Sequence, residues 1–294
     1  MPIGELFALL TALLWSGTAL CFAEASRRIG TFQLNIYRLL FATIFLCLTI
    51  VIGGLNYTLT SEQIFFLAAS GVTGLVFGDT FLFKAYQEIG PRNSMLVMSL
   101  SPGMAAIMSY FLFGETISFM GITGIVITLG GVAFVVYGRN PATGKEYISA
   151  SGLWFAFLGA IGQAGGLILA KFAFNISDIN GFVATFYRII FSVSLLFLMG
   201  VATKRYKNPI PLFKENVTAF KFTLAGTIMG PFLGITASLI AISTAKIGIA
   251  STLMSIVPVT MLPLVHYFYK EKIPAKGIIG AVIAVAGVAI LVLR

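Results

Sequence analysis

The sequence has little charge: Asp, Glu, Lys and Arg make up 10% of its 294 residues, whereas 58% of the residues are hydrophobic. A water-soluble domain of this size would not have enough polar surface to cover so much apolar surface. The composition therefore predicts an all-α, polytopic membrane protein. The net charge of +9 is spread between the apolar runs, so it is interpreted as a topology signal, and no nucleic-acid partner is expected.

Residues that build disulfides, metal sites and catalytic clusters are also scarce. The two cysteines, Cys21 and Cys47, both lie inside apolar runs, and there is one histidine. We therefore expect no disulfide framework, no metal site and no cofactor. Because clustered acids, bases or metal ligands are missing, an enzyme that processes membrane lipids is disfavoured. The sequence has no Walker-type phosphate loop, so active transport would have to use a gradient or exchange.

The sequence contains a long segment that occurs twice. Residues 98–133 recur 156 positions later, with 13 identities in 36 ungapped positions, and each copy has a proline near its start, Pro102 and Pro258. A similar match near the start of each half pairs Gly17 with Gly165. The chain is therefore interpreted as an internal duplication.

The apolar runs predict ten membrane spans, each long enough to cross a hydrocarbon core of about 30 Å. They lie at about 3–23, 31–53, 63–84, 93–113, 118–138, 151–173, 181–202, 218–240, 248–269 and 274–293. The duplication divides them into two five-helix repeats, 1–138 and 151–294, joined by a connecting loop at 139–150. Because five is an odd number, the second repeat is expected to be inverted relative to the first.

Glycines at seven-residue spacing mark the last helix of each repeat, at Gly124 and Gly131 and again at Gly280 and Gly287. They place small residues on one helix face and would let two helix backbones approach closely. Membrane helices are generally rich in glycine, so a packing role is the simplest interpretation.

Lysine and arginine are distributed unevenly between the two faces of the predicted bundle. They follow spans one and three in the first repeat, and spans seven and nine in the second: Arg27, Arg28, Lys84 and Arg92, then Lys204, Arg205, Lys207, Lys214, Lys270 and Lys272. With an inverted second repeat these clusters share one face, which we call the basic face. The positive-inside rule then places the basic face in the cytoplasm and both termini outside.

The first repeat contains the motifs Leu14-Trp15-Ser16-Gly17 and Gly78-Asp79-Thr80. Both repeats contain a Tyr-Arg pair, a helix with a proline and a turn with a glutamate: Tyr37-Arg38 and Tyr187-Arg188, Pro102 and Pro258, and Gly114-Glu115 and Lys270-Glu271. Together they resemble the drug/metabolite transporter superfamily, EamA type, over essentially the whole chain. The resemblance implies a secondary carrier of small metabolites such as amino acids, often an exporter, in the cell (inner) membrane.

The resemblance also implies a central cavity between the repeats, lined by spans one, three, four, six, eight and nine. Many members keep both termini in the cytoplasm, which conflicts with the orientation that the charges predict. A lipid scramblase or channel shares the polytopic composition and stays open as an alternative. Substrate identity, transport direction, proton coupling and the choice between monomer and homodimer are left open by the sequence.

Ionisable residues inside a span are costly in the bilayer core, so they are expected to face a cavity or a partner. Arg38 and Asp79 each lie roughly 8–10 Å from the basic face at about 1.5 Å per residue, and an ion pair between them is predicted. Ile235 occupies the position of Asp79 in the second repeat, so Arg188, the counterpart of Arg38, is predicted to bind an anionic group of the substrate. Alternatively, both arginines snorkel to the interface, and Asp79 is structural rather than proton-coupling.

The complete predicted site comprises Trp15, Arg38, Asp79, Ser99, Gln163, Arg188 and Ser255 as substrate-binding residues, with Pro102 and Pro258 as helix-kink or gating residues. Trp15 would either contact the substrate or pack in the core. The Gln163 amide needs a hydrogen-bond partner at mid-bilayer. Each proline exposes a backbone carbonyl one turn earlier, and the serine three residues before it would line the cavity or cap this freed backbone.

Overall fold

The computed structural model describes residues 3–137, 149–269 and 275–293, and every regular element in these ranges is helical. The α-helices are α1 (Ile3–Ile29), α2 (Thr31–Ile52), α3 (Ser61–Gly71), α4 (Asp79–Met98), α5 (Ser101–Phe113), α6 (Phe119–Tyr137), α7 (Ala150–Ile176), α8 (Gly181–Ala202), α9 (Pro209–Glu215), α10 (Val217–Thr227), α11 (Ile235–Thr244), α12 (Ile247–Met254), α13 (Val257–Tyr269) and α14 (Ala275–Leu293). Two π-helical segments, π1 (Val72–Gly78) and π2 (Ile228–Gly234), join α3 to α4 and α10 to α11.

The helices are those of a multi-pass membrane protein. In the described ranges, seven helical segments are long and apolar enough to cross a membrane: Ile3–Ile29, Thr31–Ile52, Ser61–Pro91, Ala150–Ile176, Gly181–Ala202, Val217–Thr244 and Ile247–Leu264. Shorter apolar helices cover Ser101–Phe113, Phe119–Gly131 and Ile278–Ile290. The all-α, polytopic class is therefore confirmed for this part of the chain, whereas the total of ten spans stays a prediction.

Two of the predicted spans, 93–113 and 248–269, are broken rather than continuous. Helix α4 ends before α5 begins, and α12 ends before α13 begins. Pro102 and Pro258 are the second residues of α5 and α13, so each break lies directly before a proline, and the kink or gating role of these prolines stays a prediction. Proline is tolerated in the first helical turn, since the N–H that it lacks would have no intrahelical partner there. A further bend lies within α4 at Gly90, whose φ of 74° is left-handed.

The two π segments occupy corresponding places in the two halves of the chain. Each contains a glycine pair at the same spacing, Gly74 and Gly78 in π1 and Gly230 and Gly234 in π2. The crossing of π1 with α7 is close, because a Cβ at Gly162 would lie 2.5 Å from the Cα of Gly78. π-helical turns are uncommon and often lie at functional sites, and both segments contribute residues to the interior cavity described below.

Contacts between helix ends identify the basic face in the folded chain. The side-chain amide of Gln87 donates to the carbonyl of Ser26 at 3.0 Å, and that of Gln33 donates to the carbonyl of Arg205 at 2.5 Å. The end of α1, the start of α2, part of α4 and the connection after α8 therefore lie together. Some residues of the sequence predictions are outside the described ranges: residues 139–148 of the connecting loop, Lys270, Glu271, Lys272 and Arg294.

A second set of contacts lies at the opposite face. The Gln63 side-chain amide donates to Ser177 Oγ at 2.8 Å, which joins the start of α3 to the end of α7. The Lys246 ammonium donates to the carbonyl of Thr116. This contact joins the turn between α5 and α6 to the turn between α11 and α12.

Helices α6 and α14, the last helix of each half, pack against each other through glycines. A Cβ at Gly131 would lie 2.7 Å from the Cα of Ala284 and 2.8 Å from the carbonyl of Gly280. A Cβ at Gly287 would lie 2.5 Å from the backbone nitrogen of Thr128. The close approach predicted from the glycine spacing is therefore confirmed.

Gly131→Ala is expected to destabilise the protein by about 1–3 kcal/mol, because the added methyl group meets backbone atoms of α14 that have little room to move. Gly130→Ala is the matched control, since a Cβ at Gly130 has no neighbouring atom within 4 Å. The thermal unfolding midpoint of each variant in detergent measures the difference. Equal midpoints for the two variants would contradict the tight α6–α14 crossing.

Candidate functional site

One interior cavity gathers the residues that the sequence analysis selected. It is lined by all seven predicted substrate-binding residues, Trp15, Arg38, Asp79, Ser99, Gln163, Arg188 and Ser255, and by Pro102. Pro258 is not among the residues that line it. The six predicted spans all contribute, and α2 and α8 each add one arginine. The structure thus brings these residues together, while their part in substrate binding stays a prediction.

The predicted ion pair between Arg38 and Asp79 is present in the cavity wall. Arg38 Nη2 lies 2.6 Å from Asp79 Oδ2, and the two side chains are 4% and 15% exposed. The Arg38 guanidinium also lies over the ring of Phe83, 4.9 Å from its centroid. Because both groups are buried and paired, snorkelling of Arg38 to the interface is wrong.

Asn35 fixes the orientation of this pair, and the sequence analysis did not identify it. Its Oδ1 accepts hydrogen bonds from Arg38 Nε at 2.9 Å and Nη2 at 2.7 Å. Its Nδ2 donates to the carbonyl of Leu75 in π1 at 3.1 Å and to Thr80 Oγ1 at 3.0 Å. The sequence pattern that could have identified Asn35 is an amide side chain one helical turn before an arginine within an apolar run, because a buried amide needs hydrogen-bond partners. Asn35 therefore ties α2 to π1 and α4 and holds the guanidinium rigidly.

Arg188 is in a different state from Arg38. The residue is 2% exposed, and its Nε is buried without a hydrogen-bond partner. Among the described residues, no hydrogen bond or ion pair reaches its guanidinium, and the terminal nitrogens keep accessible surface in the cavity. Ile235, which replaces a carboxylate at the position matching Asp79, also lines the cavity. The guanidinium thus lines the cavity without a direct hydrogen-bond or ion-pair partner among the described residues.

The remaining predicted residues differ in their surroundings. The Gln163 amide faces the cavity and makes no hydrogen bond to any other described residue. Trp15 both lines the cavity and packs against π2, where a Cβ at Gly234 would lie 2.8 Å from its indole ring. Ser255 Oγ donates to the carbonyl of Thr252 at 2.8 Å, so its hydroxyl caps backbone. Ser99 is buried at the break between α4 and α5.

The cavity has the donors of an anion site and no cluster that resembles a metal centre. Among the described residues, the charged side chains in its lining are Arg38, Arg188 and Asp79, so this described lining carries one net positive charge. Within the described ranges, no three His, Cys, Asp or Glu side chains come together as metal ligands would. The rest of the lining is mainly apolar and aromatic.

Comparison with known proteins agrees with this arrangement of apolar helices around a central cavity. The sequence model described as the EamA-like transporter family matches residues 2–137 and 150–293. The chain belongs to the EamA-like transporter family. The family match confirms the resemblance to the drug/metabolite transporter superfamily that the motifs predicted.

Similar proteins include two from Bacillus subtilis (strain 168), each described as an uncharacterized transporter. YxxF is 27% identical over 158 residues, which are 53% of this chain and 50% of YxxF, so the match spans half the length of that relative. YetK is 22% identical over 240 residues, which are 80% of this chain and 70% of YetK. A solved crystal structure shares the EamA-like chain's fold with a TM-score of 0.77 at 19% identity, covering 99% of this chain and 96% of that one.

Two glycines open the gap through which the arginine of α8 reaches the cavity of this EamA-like protein. A Cβ at Gly74 in π1 would lie 2.5 Å from Arg188 Nη2, and a Cβ at Gly166 in α7 would lie 2.9 Å from the same nitrogen. The guanidinium therefore passes between two helix backbones that carry no side chain at this level. The sequence analysis interpreted such glycines only as packing residues.

Gly74→Ala is expected to weaken substrate affinity about tenfold, because the new methyl group displaces a guanidinium whose charged hydrogen bonds are worth about 1.5–3 kcal/mol. Apart from the Arg188 guanidinium, the nearest atom to a Cβ at Gly74 is 3.8 Å away, so the backbone need not shift. Gly103→Ala is the control, since a Cβ there has no neighbour within 4 Å. The half-saturating concentration in proteoliposome counterflow measures the effect, and an unchanged value in Gly74→Ala would contradict it.

Proposed function

We propose that the protein is a secondary active transporter that exports or exchanges a small metabolite with an anionic group, such as an amino acid. In this proposal two inverted five-helix repeats, residues 1–138 and 151–294, form ten spans in the inner cell membrane. The substrate occupies the central cavity, and alternating access exposes it to each side in turn. The observation that carries the proposal is the buried, unpaired Arg188 in the cavity lining.

The energetic argument begins with the cost of that arginine. A buried charge without a partner is destabilising, and a residue that bears this cost in a membrane protein is a functional-site candidate. A carboxylate can take two parallel hydrogen bonds from the terminal nitrogens of one arginine. Because the lining carries one net positive charge, a single anionic group from the substrate would neutralise it.

Asp79 adds a second polar contact to the proposed site. Its Oδ2 is engaged by Arg38, whereas no described residue donates to its Oδ1, which keeps accessible surface in the cavity. This oxygen would accept a hydrogen bond from a substrate ammonium group. A zwitterion would therefore have a partner for each of its charges, with its carboxylate on Arg188 and its ammonium on Asp79, while the occupied site would keep one net positive charge; a monoanion on Arg188 would neutralise the site. The apolar and aromatic lining would surround the rest of the molecule.

The proposal is tested by counterflow in proteoliposomes. Vesicles are preloaded with each of a panel of unlabelled zwitterionic, anionic and neutral metabolites, and uptake of the same labelled compound is measured with and without a pH gradient. Saturable exchange of an anionic or zwitterionic compound is the expected result. Exchange of neutral compounds alone would exclude the role of Arg188, and silence across the panel combined with movement of labelled phospholipid would indicate a scramblase.

A further inference from the structure

At the face opposite the basic face, a carboxylate at the turn between α5 and α6 joins the two halves of the chain. Glu115 Oε2 accepts hydrogen bonds from the backbone nitrogen of Ile247 at 2.9 Å and from Ser109 Oγ at 2.5 Å. Its other oxygen, Oε1, lies 4.0 Å from Lys171 Nζ. The side chains of Lys171 and Glu115 are 12% and 16% exposed, so water screens this ion pair only weakly. Glu115 thus connects the first half of the chain to α7 and α12 of the second half.

Two lysines extend this connection to backbone carbonyls. Lys171 Nζ donates to the carbonyl of Ile242 near the end of α11 at 2.6 Å, and Lys246 Nζ donates to the carbonyl of Thr116. The side chain next along the turn, Ile117, lies over Gly248, where a Cβ would be 2.7 Å from Ile117 Cδ1. The turn is therefore held by charged and apolar contacts together.

At the basic-face end of the cavity, the helices that correspond to α5 and α12 do not pack closely against each other. Helix α5 packs closely along α12, whereas their counterparts in the duplication, α13 and the last turns of α4, share few contacts. Phe22, Phe83 and Tyr86 line the cavity toward the basic face, whereas the positions that correspond to them in the second half, Ala170, Leu239 and Ile242, do not line it. The cavity lining therefore reaches further toward the basic face than toward the face that holds Glu115.

The duplication shows that an equivalent closure cannot form at the basic face with the same chemistry. Glu115 corresponds to Glu271, but the partner positions differ in sequence: Ile247 corresponds to Pro91, Lys246 to Gly90 and Lys171 to Ala23. Proline has no N–H to donate, and neither glycine nor alanine carries a charge. The amide donor and both lysines thus exist for one end only.

We infer that Glu115, Lys171 and the backbone N–H of Ile247, together called the latch, are positioning residues that hold the cavity shut at this face and make this closed state the resting state. The inference rests on the proposed function, because a transporter that alternates must open this face to complete its cycle. Breaking the latch removes the interactions that distinguish the two ends. The resting equilibrium would then shift toward opening at the Glu115 face.

The test measures the distance across the latch in nanodiscs without any substrate. Spin labels are attached to Phe119→Cys and Thr244→Cys, two exposed positions on either side of the latch, after replacement of Cys21 and Cys47 by alanine. Double electron–electron resonance should give one dominant short distance for the otherwise unmodified chain. Glu115→Gln should raise the population at longer distance roughly tenfold, because loss of one partner of a buried pair is costly.

Lys171→Met should produce the same shift, which keeps the test valid where Glu115→Gln does not yield folded protein. Glu62→Gln is the control, since Glu62 is an exposed carboxylate near the same face. Unchanged distance distributions in both latch variants, or a dominant long distance without any latch substitution, would overturn the inference. The distance measurement needs no substrate, so the two claims can fail separately. If the latch variants open as expected and the counterflow panel stays silent, the proposed function is refuted and the inference about the latch is retained.

Discussion

Arg188→Gln is expected to weaken substrate affinity by about thirtyfold to a few thousandfold, so that saturable counterflow disappears at ordinary substrate concentrations. Truncating one partner of a buried charge pair between ligand and protein costs about 2–5 kcal/mol, and each 1.4 kcal/mol is a factor of ten in affinity. Arg188→Lys should recover only part of the affinity, because an ammonium does not offer the two parallel hydrogen bonds of a guanidinium.

Arg188→Gln should leave the thermal unfolding midpoint of the protein unchanged or raise it. In the absence of substrate, Arg188 has a buried nitrogen without a partner, so removing the charge relieves a cost instead of creating one. A residue kept for binding at the expense of stability gives this opposite pair of effects. Arg205→Gln, at an exposed arginine of the basic face, is the matched control for the loss of one positive charge. Counterflow with normal affinity in Arg188→Gln would refute the assigned role.

Asp79→Asn is expected to destabilise the protein by about 3–5 kcal/mol, because it leaves the buried Arg38 guanidinium without its carboxylate. Replacing both partners by apolar residues, as in Arg38→Met with Asp79→Leu, should restore most of that loss, since a buried ion pair contributes little net stability over apolar packing. Thermal midpoints of Arg38→Met, Asp79→Leu and the double variant in detergent form a double-mutant cycle that isolates the pair.

An exposed ion pair in the same protein provides the comparison. Arg28 Nη2 lies 2.5 Å from Glu24 Oε1, with side chains 39% and 25% exposed. Glu24→Gln should therefore cost less than about 1 kcal/mol, because water and salt screen exposed charges. Equal losses in Glu24→Gln and Asp79→Asn would show that Arg38 is not dependent on its carboxylate.

The sequence was informative at positions where the membrane environment restricts which residues are stable. Apolar runs identified the helices, because backbone hydrogen bonds must be made within each span. Arg38, Asp79 and Arg188 stood out for a similar reason, since an ionisable group in the core needs a cavity or a partner. Aligning the two repeats added a comparison that one copy alone does not offer. It showed that Ile235 leaves the second arginine without a carboxylate.

The features that the sequence did not predict depend on contacts between distant segments. A π segment adds about one residue to a helical turn and leaves the apolar pattern of the span unchanged, so π1 and π2 were not visible. Asn35 became significant only when its amide was found to bridge Arg38 and the carbonyl of Leu75. Glu115 lies in a short polar turn that resembles many others, and two of its partners, Lys171 and Ile247, are more than fifty residues away along the chain.

The replacement of a carboxylate by Ile235 also bears on how this protein diverged after its duplication. Two identical halves would each have offered an arginine, and an anion would have had two equivalent positions of equal energy. In this chain Arg38 has Asp79 as its counter-ion and the matching position of the second half is Ile235, so the two arginines are not equivalent and the proposed anion would have one position instead of two. In such a protein, the same substitution at matching positions of the two halves would not have the same effect. Selection on substrate preference would then act mainly on the second half, and selection on rigidity mainly on the first.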